Sequence, residues 1–170
     1  LTIEALVDAT ASVDEIYALF WATDEADPDR IVETWLDRNS FKGIESWQGN
    51  MRFVTYGMAN DLSCKTLDEP TSFGNENGAL FAVEHVCRSS DQGTLTAGET
   101  LLVGLRWRAL ADSPDNYKVS LQLLNGRDQV IAQRDSEPSG GSSPTSTWKT
   151  GDLVYDNHGL WVPFGTPPGS

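Results

Sequence analysis

The spacing of apolar residues changes along the chain, from helical and continuous patterns before residue 60 to strict alternation after residue 79. Residues 2–11 predict an amphipathic helix, because their apolar side chains recur every three or four positions. Residues 14–22 follow as a nearly continuous apolar run. Such a run is typical of a strand that is buried on both faces of a parallel sheet.

A second helix is predicted after this strand, and its start carries the expected signals. Asp27 suits the N-cap, and Pro28 suits the first helical position, where no N–H needs a partner. Residues 41–47 then read as a short connection into a strand at 51–58. The order of strand, helix and strand predicts a right-handed parallel crossover. The apolar face of the helix consists of Ile31, Val32, Trp35 and Leu36.

The second half of the chain has the pattern of strands with one buried face. Apolar and polar residues alternate in segments such as 99–110 and 116–126, and Asn125-Gly126 is a strong hairpin signal. Two further strands are predicted in residues 152–164, one at DLVYD and one at LWVPF. The Ser/Gly/Pro-rich residues 138–147 are expected to cross between two sheets.

Together these patterns predict an α+β fold in which the two halves of the chain differ. Residues 1–60 would form a small α/β piece of β-α-β order, the end of a larger α/β unit. Residues 61–78 are polar with Pro and Gly breakers, so they are interpreted as a linker or loop. Residues 79–170 would form an antiparallel β-sandwich. We expect the chain to be a segment of a longer protein.

The net charge restricts the partners of this chain. Its 170 residues include 25 acids and 12 Lys or Arg, which gives a formal net charge of −13. Such a surface repels phosphate backbones, and no basic cluster offsets it, so nucleic-acid binding is not expected. No segment approaches the roughly 20 apolar residues of a membrane span. Cys64 and Cys87 could form a disulfide or remain free, and the sequence leaves both possibilities open.

Acids follow the first apolar strand, where open α/β sheets bind their ligands. The carboxylates of Asp24, Glu25 and Asp27 could bind a hard cation or the hydroxyls of a sugar. The alternative is a capped helix with solvated acids in its first turn. A glycine-rich turn is missing from this segment, so a nucleotide phosphate is not expected here.

A second pair of acids lies in the Ser/Gly/Pro-rich region. Asp135 and Glu137 would be about 6.5–7 Å apart on an extended chain, a spacing that glycosidases use. The alternative, which we favour, is a turn in which Asp135 accepts hydrogen bonds from loop N–H groups. Trp148 could stack on a sugar, but we expect it to anchor the returning chain and to be buried.

The remaining chemical groups are isolated in the sequence. His85 and His158 lack the further ligands of a metal site and are interpreted as structural or surface residues. Trp107 and Trp161 alternate with apolar neighbours, so they are predicted to lie in the core. No catalytic, cofactor-binding or metal-binding residue is predicted in this chain.

Several short motifs are spread over most of residues 14–170. In the first half they are Trp21, Asp27-Pro28, Trp47-x-Gly49 and the segment from Arg52 to Tyr56. In the second half they are the YKVSLQLL strand, the Asn125-Gly126 hairpin, Gln133-x-Asp135-x-x-Pro138, Pro144-Thr145-x-x-Trp148-x-x-Gly151, Asp156 and Pro167-Pro168-Gly169. Together they resemble the extracytoplasmic part of bacterial glycosyltransferases of the dolichyl-phosphate-mannose protein mannosyltransferase type.

The resemblance implies that the whole protein transfers a sugar from a polyprenyl-phosphate donor to an acceptor outside the membrane. The catalytic acids of that family lie in loops between membrane helices, so none can be assigned to this chain. We therefore expect a non-catalytic, soluble domain on the extracytoplasmic face of the membrane. It would pack on the membrane-embedded part of its own chain or help to hold a glycan or polypeptide acceptor. The alternatives are a stand-alone carbohydrate-binding module and a carboxylate-dependent hydrolase.

Overall fold

One long sheet and a short ribbon carry most of the chain. The computed structural model describes residues 3–59, 62–89 and 95–167. The helices are α1 (Ile3–Thr10), α2 (Thr23–Ala26) and α3 (Ile31–Asn39). The strands are β1 (Glu15–Phe20), β2 (Phe41–Gln48), β3 (Met51–Gly57), β4 (Ser63–Asn75), β5 (Gly78–Arg88), β6 (Thr100–Ala109), β7 (Val119–Leu124), β8 (Val130–Ser136) and β9 (Leu153–Trp161). Within these described ranges, no helix is long and apolar enough to span a membrane.

The large sheet has seven strands in the order β1-β3-β2-β9-β6-β5-β4. Its neighbours are antiparallel except for β2 and β9, which are parallel. Strands β7 and β8 form a separate two-stranded antiparallel ribbon. The sheet curls so far that a side chain at Gly57 of β3 would collide with Leu102 of β6. The fold is therefore a β-rich α+β fold.

Helix α3 and the β7–β8 ribbon cover the same face of this sheet. Lys42 of β2 and His158 of β9 are paired neighbours. Lys42 contacts α3 through Asp37, whereas His158 lies 3.4 Å from Ser136 of β8. Two apolar clusters lie beneath these two layers. One joins Leu36 of α3 to Phe20, Val54 and Tyr56, and the other joins β5 and β6 to the ribbon.

The predicted parallel crossover in the first half is wrong. The apolar run of residues 14–22 does contain β1, but β1 is an edge strand that pairs antiparallel with β3. Tyr17 and Leu19 are each 64% exposed, so only one face of β1 is buried. The segment predicted as a connection is β2, which forms a hairpin with β3. Exposed apolar residues on an edge strand look, in sequence, like those of a buried strand.

The predicted linker, residues 61–78, contains strand β4 instead. This strand pairs with β5 along most of its length, and a disulfide joins the directly opposed Cys64 and Cys87. Nearly all of β4 is exposed because it is the edge strand of the sheet. Its polar composition therefore reflects its edge position, where a strand has few apolar neighbours to pack against.

The second half agrees better with its pattern. The alternation over residues 99–110 corresponds to β6, and the Asn125-Gly126 hairpin joins β7 to β8. One prediction fails, because most of DLVYD and the first two residues of LWVPF belong to the single strand β9. Two sheets are present, but the second is only the short ribbon.

Residues 138–147 cross from the ribbon to the large sheet, as predicted. They contain the 3₁₀ turns Pro138–Gly141 and Thr145–Thr147. The backbone bends through left-handed φ angles of 52° at Ser139, 64° at Gly140 and 95° at Gly141. The glycines adopt such angles without steric cost, whereas Ser139 must be held in place by its contacts.

A buried cluster of charges fixes α3 to the sheet. The ammonium of Lys42 lies 3.3 Å from Asp37 and 3.5 Å from Glu33, and its side chain is only 7% exposed. Glu33 is also 2.5 Å from the guanidinium of Arg52. The hydroxyl of Tyr56 donates a hydrogen bond of 3.1 Å to Asp37. Each buried charge therefore has an opposite partner, which is the condition for burying it.

The two carboxylates of this cluster respond to it in opposite directions. Burial would raise the pKa of Glu33, but its hydrogen bond to Arg52 and the charges of Arg52, Lys42 and Arg30 together lower that pKa. Burial dominates at Asp37 and raises its pKa, although Lys42 and Tyr56 oppose the change. Glu33 thus favours folding when it is ionised, and Asp37 favours folding when it is protonated.

We predict opposite pH dependences for Glu33→Gln and Asp37→Asn. The contribution of Glu33 is complete above its unfolded pKa, about 4.3, and is lost as the pH falls through the lower folded pKa. Glu33→Gln should therefore cost about 2 kcal/mol at pH 7 and much less at pH 3. The contribution of Asp37 is lost as the pH rises through its raised folded pKa. Relative to wild type, Asp37→Asn should therefore be more favourable at pH 7 than at pH 3.

The free energy of unfolding, measured in urea at each pH, tests both variants. A cost for Glu33→Gln that stays constant between pH 7 and pH 3 would contradict the assignment of an ionised, cation-bound Glu33.

Candidate binding cleft

An apolar cleft lies between the ribbon and the large sheet. Its volume is about 580 Å³, which is within the range of about 300–1,000 Å³ found for small-molecule sites. The large sheet contributes Phe81, Leu105 and Trp107, and the ribbon contributes Val119 and Leu121. The other residues of its lining are Leu67, Thr71, Phe73, Gly74, Leu80, Val83, Val86, Tyr117, Lys118, Ser120, Pro138, Thr145 and Trp148.

The alternation of β6 and β7 explains why the cleft is apolar. Leu105 and Trp107 are buried on the covered face of β6. Val119 and Leu121 point from β7 onto that face, while Ser120 is exposed to solvent. The ribbon has only two strands, so it does not fill the space in front of β4 and β5.

Trp148 lines the cleft and is 3% exposed, which confirms the prediction that it is buried. Its indole ring packs edge-on against Phe81, with 5.3 Å between the ring centroids, and lies 6.4 Å from Trp107. The indole N–H donates to the carbonyl oxygen of Ser143 at 3.1 Å and to its hydroxyl at 3.0 Å. A sugar-stacking tryptophan needs an open ring face, and Trp148 does not offer one.

The polar groups of the cleft are few and lack negative charge. Lys118 is the one charged residue among the described residues that line it, and none of them is Asp or Glu. Thr145 already donates a hydrogen bond to the carbonyl oxygen of Asp115 and accepts one from the N–H of Tyr117. Although the chain has 25 acids, none of those that the structure describes lines the cleft.

Asp135 lies outside the cleft, and its predicted role is wrong. Strand β8 continues to Ser136, so Asp135 is paired with Ser120 on the exposed face of the ribbon rather than in a loop. It accepts hydrogen bonds from the side-chain amide of Gln133 instead of from loop N–H groups. The hydrogen bond with Ser120, followed by that with Gln133, lowers the pKa of Asp135. Such a carboxylate is a poor general acid, and Glu137 lies beyond the end of the strand.

The acids after β1 do not converge either. Asp24 and Glu25 are exposed on the single turn of α2. Asp27 accepts hydrogen bonds from the N–H groups of Ile31 and Val32, at 2.8 and 3.0 Å, so it caps α3 from outside the helix. The described residues contain no group of three or more His, Cys, Asp or Glu side chains that could hold a metal. The structure therefore agrees with the capped-helix alternative.

A Ser-His-Asp arrangement, which the sequence patterns do not predict, lies beneath the ribbon. Ser136 is 3.4 Å from Nδ1 of His158, and Nε2 of His158 is 2.7 Å from Asp156. Asp156 also accepts hydrogen bonds from the indole N–H of Trp107 at 3.2 Å and from the N–H of Ser139 at 2.8 Å. His158 and Asp156 are fully buried, so no substrate reaches the imidazole. The arrangement is structural, and its sequence signal is the Asp-x-His in the middle of β9.

The other isolated groups remain apart from one another. His85 lies on β5 and pairs with Thr66 of β4 at 3.0 Å. Trp107 is 7% exposed, which confirms that it is a core residue. Trp161 is partly exposed and packs against Phe164, with 5.5 Å between the ring centroids.

We predict that Asp156→Ala destabilises the fold by about 3–5 kcal/mol, because it leaves buried hydrogen-bond donors without an acceptor. Ser136→Ala removes only the long contact to His158 and should cost less than about 1 kcal/mol. Urea denaturation measures both costs, and near-ultraviolet circular dichroism reports the packing of Trp107. Similar costs for the two variants would contradict the central role of Asp156.

Comparison with known proteins found no similarity to this chain. No protein-family model, no curated protein and no solved structure matches it. The family resemblance of the motifs stays a prediction, and the function must be argued from the cleft.

Proposed function

We propose that this chain is a non-catalytic binding domain with the apolar cleft as its site. The resemblance of its motifs supports one setting, the extracytoplasmic side of a polyprenyl-phosphate-sugar-dependent membrane glycosyltransferase. There it would support the membrane-embedded catalytic part or the binding of the acceptor. As part of this proposal, we interpret the ribbon and the large sheet as the two layers of a β-sandwich that is open at the cleft.

The cleft is the observation that carries this proposal. It combines a ligand-sized volume of about 580 Å³ with an aromatic and aliphatic lining. The groups that could perform acid–base chemistry lie elsewhere. Asp135 is on the outer face of the ribbon, and His158 is sealed beneath it. A site that binds without reacting needs shape and apolar surface, and both are present here.

Each alternative function lacks a feature that it needs. A carbohydrate-binding module built on Trp148 requires an exposed ring face, but this side chain is buried. A hydrolase built on Asp135 and Glu137 requires a carboxyl group that holds a proton, but the pKa of Asp135 is lowered.

The proposed setting predicts that filling the cleft slows the intact parent protein. Val119→Phe places a larger apolar group in the cleft and should lower the rate of sugar transfer about tenfold, equivalent to about 1.4 kcal/mol. Gln122→Phe is the matched control, because Gln122 lies on the same strand and faces solvent. It should leave the rate within about twofold, since substitutions on the surface have small effects.

An unchanged rate in Val119→Phe would contradict a role of the cleft in transfer. A parent open reading frame without hydrophobic spans upstream of Leu1 would contradict the membrane setting. Hydrolysis of a glycoside by the purified chain that disappears in Asp135→Asn would contradict the non-catalytic assignment.

A further inference from the structure

We propose that the cleft binds the apolar chain of a single-chain anionic amphiphile, with the headgroup beside Lys118. The ligand class covers any molecule that joins one aliphatic chain to a carboxylate or a phosphate. This inference rests on the proposed binding role of the cleft and specifies what it binds.

The lining requires an apolar body. Five aromatic residues face the cleft, and the rest of its wall is mainly Leu, Val and Pro. Its described lining contains no Asn, Gln, Arg, Asp or Glu side chain. A sugar or a nucleotide would leave most of its polar groups without partners there, which disfavours binding. A hydrocarbon chain leaves none unpaired and is stabilised in proportion to the apolar area that it buries. The aromatic residues are Phe73, Phe81, Trp107, Tyr117 and Trp148.

One end of this wall opens to solvent. Phe73 lies on the edge strand β4, is 48% exposed and contacts the buried Trp107 with 5.5 Å between ring centroids. Strand β4 leaves the regular pairing with β5 between Thr66 and Thr71. The side chain of Leu67, in this irregular stretch, turns onto the core. An apolar chain can therefore enter past Phe73 and reach Trp107 without unfolding the sheet.

The one charge in the described lining of the cleft favours an anionic headgroup over a cationic one. Lys118 is exposed, lines the cleft and is its one charged residue among those described. The chain as a whole has a net charge of −13, so an anion is repelled from most of the remaining surface. Asp135 is paired with Ser120, which is two residues from Lys118, and the charge of Lys118 helps to lower the pKa of Asp135. The negative charge of Asp135 in turn weakens the attraction between Lys118 and an anion. This competition predicts opposite effects for substitutions at the two positions.

The test is a calorimetric titration of the purified chain with dodecanoate. The dodecanoate is kept below its critical micelle concentration. Dodecanol provides the same chain without the charge, and dodecyl phosphate provides the other headgroup. We expect saturable binding of one dodecanoate, reduced about tenfold by Val119→Phe and within about twofold of wild type in the control Gln122→Phe. Lys118→Gln should weaken dodecanoate about threefold without weakening dodecanol, and Asp135→Asn should strengthen dodecanoate by a similar factor.

Equal effects of Val119→Phe and Gln122→Phe would overturn the proposed site. Equal effects of Lys118→Gln on dodecanoate and dodecanol would overturn the proposed headgroup contact. Stronger binding of a polypeptide or a glycan than of any amphiphile, lost in Val119→Phe, would overturn the ligand class. If no amphiphile binds while Val119→Phe still slows sugar transfer by the parent protein, the ligand class fails and the binding role stands.

Discussion

The buried carboxylate of Asp156 is the interaction on which the rest of the second half depends. Its two oxygens accept hydrogen bonds from Trp107 on the large sheet and from Ser139 in the crossover, and one of them also contacts His158. A fully buried carboxylate is tolerated only when such partners satisfy it, so the crossover must pass over β9 at this point. From there the chain returns through Trp148, and the ribbon is held over the sheet. The cleft is the space that this arrangement leaves open.

The alternation of apolar residues was a reliable guide wherever a strand has one buried and one solvated face. Strand β7 has such faces, and the inward residues of β6 and β7 are those that the pattern predicts. The pattern failed at the two edge strands of the large sheet. Strand β1 exposes apolar Tyr17 and Leu19, which resemble buried residues in sequence. Strand β4 is polar because it lies at the edge of the sheet and has few neighbours. Polar residues with Pro and Gly are also typical of a linker, so the pattern predicts a linker there.

The Asp156–His158 pair and the cleft both depend on contacts between distant parts of the sequence, which no local pattern contains. The polar Asp156 and His158 made β9 look like two strands, because their partners come from β6, β8 and the crossover. The burial of Trp148 was predictable from its place at the end of the crossover. The cleft was not, since it depends on the ribbon having two strands where a full sandwich layer would fill the space. Asp24 and Asp135, which the sequence offers as candidate site residues, are exposed.

The most direct measurement of the central claim is a crystal structure of this chain with a dodecanoate that carries bromine at its terminal carbon. Anomalous scattering locates the bromine atom independently of any assumption about the ligand. We expect a single strong peak between Trp107 and the β7 side chain Val119, with the carboxylate towards Lys118. A bromine peak outside the cleft, or a cleft closed by movement of the ribbon onto the large sheet, would contradict the account.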